Sequence, residues 1–283
     1  MLGGVSERRQ TAGRRLAPVA GALLALALTP AVAAGAASVS SNWAGYVATA
    51  RGGSRTAFSS VSGVWTQPAV SCPAGRESYS ATWVGLGGYG ERSRALEQAG
   101  TDANCSRSGH AAYAAWYELL PAAPTAVRLA VHPGDLLVAA VTVSGRHVNF
   151  AIRDLTSGTR FAKTVHASAT DLSSAEWIVE APSACVGEVS CRPLALADFG
   201  QVGFAHATAT AGGRTGPAGS WAATALELHQ RALQLSAAAR RPQASEILAV
   251  PSSVSSSTGA FGVSWLERQL AGELPPAPTL PGG

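Results

Sequence analysis

The chain offers few of the side-chain sets that commonly carry catalysis. It has no G-x-S-x-G nucleophile elbow, no H-E-x-x-H zinc pair, no S-x-x-K and no G-x-x-x-x-G-K-[ST] phosphate loop. Its six histidines, at 110, 132, 147, 166, 206 and 229, are scattered without ligand-like spacing, so no metal site is expected. The four cysteines, Cys72, Cys105, Cys185 and Cys191, form an even set in a chain that begins with an export-type leader, which points to disulfides over thiol chemistry. Carboxylates and side-chain amides remain. They concentrate in four segments where polar residues alternate with aromatic or small ones: Trp83-Val84-Gly85-Leu86-Gly87-Gly88, Leu96-Glu97-Gln98-Ala99-Gly100-Thr101-Asp102, Ala115-Trp116-Tyr117-Glu118 and Ser174-Ala175-Glu176-Trp177-Ile178-Val179-Glu180.

The elements that hold these segments read as strands. From Trp43 to about Phe204, short runs alternate apolar and polar residues and are separated by Gly, Pro, Ser and Asp clusters. Expected strands are Trp43–Ala48, Val61–Thr66, Tyr79–Gly85, Tyr113–Leu119, Leu136–Val143, Asn149–Asp154, Ser174–Glu180 and Gly200–Thr208, with Glu97 and Gln98 also on a strand. Their close spacing argues for an all-β sandwich or barrel. Ala222–Arg240 suits helix by composition but also alternates, and strand is preferred; Phe261–Leu266 is a last strand. In a strand, Glu176, Ile178 and Glu180 share one face while Trp177 and Val179 share the other, so Glu176 can face a cleft while Trp177 packs in the core.

Arg8, Arg9, Arg14 and Arg15 precede an apolar run from Val19 to Leu28 and the sequence Ala31-Val32-Ala33, the layout of a signal peptide over residues 1–33. The run is shorter than the roughly 20 residues a resident membrane helix needs, so secretion is expected and no membrane association after cleavage. Removing four Arg and Glu7 lowers the formal charge from +4 to +1. A nearly neutral chain with a single lysine, Lys163, lacks the basic patch that nucleic acid requires. One domain is expected over residues 34–270, followed by a Pro-rich disordered tail at 271–283; a monomer is the default. Cys185 and Cys191 would close a short loop, leaving Cys72 with Cys105 by elimination, although four cysteines allow three pairings.

Taken in order, the four polar segments, with Ser41-Asn42-Trp43-Ala44-Gly45-Tyr46 before them and Ala197-Asp198-Phe199-Gly200 after, resemble the glutamic peptidases, the eqolisin or G1 family. The resemblance implies a β-sandwich of two long, curved antiparallel sheets, a concanavalin-like jelly roll, with a substrate cleft on its concave face. It implies acid hydrolysis of polypeptides without a cofactor. The family glutamine falls on Gln98 and its glutamate on Glu176. Glu176 would act as general base on water, and Gln98 would donate to the oxyanion. Trp83 and Trp116 match cleft-lining aromatics, and Asp102 matches an acid near the glutamine that would orient it. Gly87 and Ala114 stand where the family frequently has acids, which alters the like-charge surroundings of the glutamate.

Without the resemblance, Glu176 and Gln98 would read as solvent-facing strand residues, and Glu118 and Glu180 read as structural or solvated in either case. Three other functions compete: a non-catalytic carbohydrate-binding sandwich, an inactive peptidase relative, and a retaining glycosidase pairing Glu176 with Glu97 or Glu118. The last is disfavoured for Glu97, since adjacent strand residues point to opposite faces.

Overall fold

Alternation of small and bulky residues gives a chain built almost wholly of strands. The computed structural model describes residues 37–50, 57–90, 93–186, 190–231 and 245–266. The strands are β1 (Ser38–Ser40), β2 (Trp43–Thr49), β3 (Phe58–Thr66), β4 (Ser78–Gly87), β5 (Leu96–Cys105), β6 (Ala111–Leu119), β7 (Thr125–Ala126), β8 (Leu136–Ser144) and β9 (His147–Asp154). They continue as β10 (Arg160–His166), β11 (Ser174–Glu180), β12 (Ser183–Val186), β13 (Ser190–Pro193), β14 (Gln201–Ala211), β15 (Arg214–Pro217), β16 (Ala222–Arg231), β17 (Ser245–Pro251) and β18 (Phe261–Trp265).

One hydrogen-bonded path runs β10-β9-β8-β3-β14-β18-β17-β16-β2-β11-β4-β5-β6-β7. It is not a closed barrel. The path doubles back through β18 and β17, so the layer of β9, β8, β3 and β14 packs face to face with the layer of β2, β11, β4, β5 and β6. Side chains from both layers fix that packing. Trp177 on β11 donates its indole N–H to the Ser62 carbonyl on β3 at 2.8 Å, and Trp65 on β3 donates to Thr101 Oγ1 on β5 at 3.1 Å. Tyr117 on β6 stacks on Phe150 of β9 at 4.9 Å between centroids.

β8 and β9 alternate buried and open residues, because only one of their faces meets the other layer. β4 and β11 are buried on both faces. Their second face carries its own apolar cluster of Val47, Ala81, Trp83, Leu96, Trp116, Ile178 and Leu226, packed against Trp43. That second face holds the residues of interest.

Several strand limits differ from the sequence reading. β10 carries no fully buried side chain, so its Arg160–His166 sequence gives little alternation to detect. β3 starts at Phe58 and β14 runs on to Ala211, past an irregularity at His206, whose φ is 49°. Within Ala222–Arg240, the described part is strand, β16; residues 232–240 lie outside the described residues. One pairing, β1 with β16, is parallel. Disulfides join Cys72 to Cys105 and Cys185 to Cys191. The signal segment 1–33 and the tail 271–283 also lie outside the described residues. Among the described residues no helix is long and apolar enough to cross a membrane.

Candidate active site

Register decides which side chains meet. Glu176 on β11 is paired with Val47 on β2 and with Gly85 on β4. Gly85 is paired in turn with Gln98 on β5, and Gln98 with Glu118 on β6. Paired residues point to the same face, so Val47, Glu176, Gly85, Gln98 and Glu118 form one row across five strands. A second row holds Gly45, Ile178, Trp83, Gly100 and Trp116, and a third holds Trp43, Glu180, Ala81, Asp102 and Ala114.

Glu176 is fully buried, and neither of its carboxyl oxygens makes a hydrogen bond of ordinary geometry, the Ser174 hydroxyl lying near enough only to act weakly. Burial raises its pKa well above the ordinary carboxylate value; the Ser174 hydroxyl offsets this in part, and Asp171 and Glu97 add like-charge repulsion. Gln98 is also buried, and its side-chain N–H₂ donates one hydrogen bond to Glu118 Oε2. An amide nitrogen carries two protons, so one remains for another acceptor. Burial raises the Glu118 pKa, against the bond from Gln98.

The third row is a polar clasp around the tryptophans. Trp83 donates its indole N–H to Glu180 Oε2 at 2.8 Å, and Asn42 donates to Glu180 Oε1 at 2.9 Å. Trp43 meets Trp83 edge-on, with ring centroids 5.0 Å apart. Desolvation lifts the Glu180 pKa to about 7 despite these donors. The same cause lifts Asp102 to about 6, with Trp116 and Asn104 partly opposing it.

Asp102 lies on the same face as Gln98 but four residues away on β5, about 13 Å along a strand, and the Gln98 amide donates to Glu118. Glu118 and Glu180, expected to be structural or solvated, are both half-buried and hydrogen-bonded on the site face, the structural alternative. Parity alone puts Glu180 on the face of Glu176, but only the β5–β6 register brings Glu118 to Gln98. Glu97 points to the opposite face, where its Oε1 accepts the Asp171 N–H at 3.4 Å, and burial raises its pKa to about 8. A carboxyl pair of Glu97 with Glu176 on one face is therefore not formed. Beside Gly87, the Asp171 carboxylate packs onto the turn.

Comparison with known proteins agrees with this arrangement of strands. Residues 41–245 match the sequence profile of the Peptidase A4 family. Aspergillopepsin-2 from Aspergillus niger is 32% identical over 215 residues, covering 68% of this chain and 71% of that protein. Scytalido-glutamic peptidase, solved with a transition state analog inhibitor, superposes with a TM-score of 0.64 at 20% identity, over 80% of this chain and 98% of that one. Aspergilloglutamic peptidase from Aspergillus niger gives 0.50 at 26% identity, over 67% and 99%.

Proposed function

Because the chain belongs to the Peptidase A4 family, the glutamic peptidases, and is therefore a peptide-bond hydrolase, we propose that it is a secreted endopeptidase whose reaction is carried by Glu176 and Gln98. The observation that carries the assignment is the single row in which a buried carboxyl and a buried amide stand on either side of Gly85. Buried carboxyl oxygens without an ordinary hydrogen bond are rare, and such a group suits one that must hold water.

In this reading Glu176 takes a proton from the water attacking the scissile carbonyl and passes it to the departing amine. Gln98 gives one N–H to Glu118, which fixes the amide plane, and its second N–H to the developing oxyanion. Trp83 and Trp116 wall the site, and Glu180 holds Trp83 in place. The substrates are polypeptides, and no cofactor enters the reaction. The N-terminal leader sends the protein out of the cell, where its disulfides persist.

The pH range follows from burial. A general base works only when ionised, so raising the Glu176 pKa moves the acid limb of activity above the range of an ordinary glutamate. As pH rises through about 6 and 7, Asp102 and Glu180 ionise and load the same face with negative charge.

The test is cleavage of an unfolded protein by the secreted form across the acid and neutral range, beside Glu176→Gln and Gln98→Ala variants of verified fold. Activity that resists chelators and inhibitors of two-aspartate peptidases, and is lost in both variants, supports the assignment. A folded Glu176→Gln variant with wild-type turnover rejects it.

A further inference from the structure

Asp171 belongs to the segment between β10 and β11, five residues before Glu176, yet its side chain reaches the turn that ends β4. A Cβ at Gly87 would overlap the Asp171 carbonyl oxygen and lie 2.6 Å from its Cβ and 2.9 Å from its carboxyl carbon. Gly87 also has φ +80°, where side chains other than hydrogen are strained. Only glycine admits Asp171 here.

The carboxylate ties three pieces of chain together. Gly88 donates its N–H to Oδ2 at 3.3 Å, and the Ser93 hydroxyl donates to the same oxygen. Ser173, at the entrance to β11, donates its N–H to Oδ1 at 3.0 Å. Burial works against the charge, but the donors from Ser93, Ser173 and Gly88 outweigh it and hold the carboxyl below its ordinary pKa. Asp171 is thus built to stay ionised.

Its position relative to the catalytic row follows from strand geometry. Gly87 and Gly85 share a face of β4 two residues apart, about 7 Å, so the Asp171 carboxylate lies one row from Glu176 and Gln98. We propose that Asp171 is a positioning residue of the site, which anchors the turn after β4 to the entrance of β11 and fixes a negative charge one row from Glu176. This rests on the reading of Glu176 as general base.

The other groups around Glu176 are few. β2 presents Val47 and β4 presents Gly85, neither charged; β5 presents Gln98 and, from its far face, Glu97; β6 presents Glu118. Arg94 lines a cavity of about 600 Å³ together with Ser93 and Asp171. Asp171 is the acid on this side whose charge is secured by three donors, so its removal reads out at Glu176.

The experiment is the pH profile of kcat/KM for the wild type, Asp171→Asn, Ser93→Ala and Glu176→Gln. Removing the charge lets Glu176 ionise more readily, so the acid limb of Asp171→Asn moves to lower pH by about one pH unit. Ser93→Ala withdraws one donor but leaves Asp171 charged, so its acid limb stays within about 0.3 pH unit of the wild type. A folded Asp171→Asn whose turnover drops evenly at every pH, with its acid limb unmoved, overturns the proposal; if that variant does not fold, an unmoved limb in a folded Asp171→Ser does so. An active Glu176→Gln would instead reject the dyad itself. An inactive Glu176→Gln beside an unmoved limb rejects only the role of Asp171.

Discussion

Glu176 and Gln98 stand in one cross-strand row on β11 and β5, separated by the bare backbone of Gly85 on β4. Two strand spacings of about 4.8 Å each set the distance between their backbones. Neighbouring side chains already crowd the glycine from the flanks. A Cβ at position 85 would lie 2.9 Å from Trp83 Cζ3, 3.1 Å from Leu96 Cδ1 and 3.2 Å from Gln98 Cβ.

Gly85→Ala should therefore push Gln98 and the Trp83 ring from their places. We expect a stability loss of about 1–3 kcal/mol, typical of overpacking, with a larger proportional loss in kcat than the fall in melting temperature suggests. Turnover at the wild-type level in a stable Gly85→Ala protein would show that the spacing is not critical.

Glu118 offers a separate test of how Gln98 is held. Glu118→Gln keeps an acceptor, through its amide oxygen, and should retain most activity. Glu118→Ala leaves the Gln98 amide free to rotate and should lower kcat by about tenfold with little change in KM, since the oxyanion contact proposed for Gln98 belongs to the transition state. Equal kcat values for the two variants would remove Glu118 from the site.

The disulfides bear on register more than on chemistry. Cys105 ends β5 opposite Ser78, the first residue of β4, so its bond to Cys72 anchors the pairing that aligns Gly85 with Gln98. Its sequence separation of 33 predicts a stabilisation of about 3–4 kcal/mol by loop entropy, against about 2 kcal/mol for the separation of 6 between Cys185 and Cys191. Denaturant titration of Cys72→Ser/Cys105→Ser beside Cys185→Ser/Cys191→Ser should rank them in that order. The reverse order would mean that strain or residual structure dominates.

How far the sequence reveals this site depends on whether a feature is local. The two-residue period places Glu176 and Glu180 on one face of β11 and Trp177 in the core, where it is fully buried. Glu97 and Gln98 are separated by the same rule. The partner of Gln98 is not accessible to such reasoning, because Glu118 reaches it through a register between strands, which alternation within one strand does not specify. β5 itself reads poorly as a strand, with Gly100, Asp102 and Asn104 in it; it is held by ladders to β4 on one side and β6 on the other. Asp171 is equally hidden. Its approach depends on the fold bringing an irregular segment to Gly87, and no periodicity encodes that contact.

The buried carboxyls also make fold stability depend on pH, with a definite sign. Glu97, Glu180 and Asp102 have folded pKa values raised to about 8, 7 and 6, so the native state binds protons more tightly than the unfolded chain. For raised carboxyls the stabilisation is complete below the unfolded pKa, near 4, and is lost as pH rises through the folded values; each tenfold gain in proton affinity on folding corresponds to about 1.4 kcal/mol at full effect. Asp154 and Asp171 act in the opposite sense. Hydrogen-bond donors lower their pKa in spite of burial, so their contribution is present above the unfolded value and fades as pH falls below it. The two sets together place maximum stability at about pH 4–5, with a decline toward pH 8 as the raised set ionises. Calorimetric melting temperatures across that range test this directly, and Glu97→Gln, which removes the carboxyl raised furthest of these three, should flatten the decline. A wild-type maximum at neutral pH would mean that these carboxyls ionise in the folded protein at ordinary values, and that the face carrying Glu176 is far wetter than its geometry indicates.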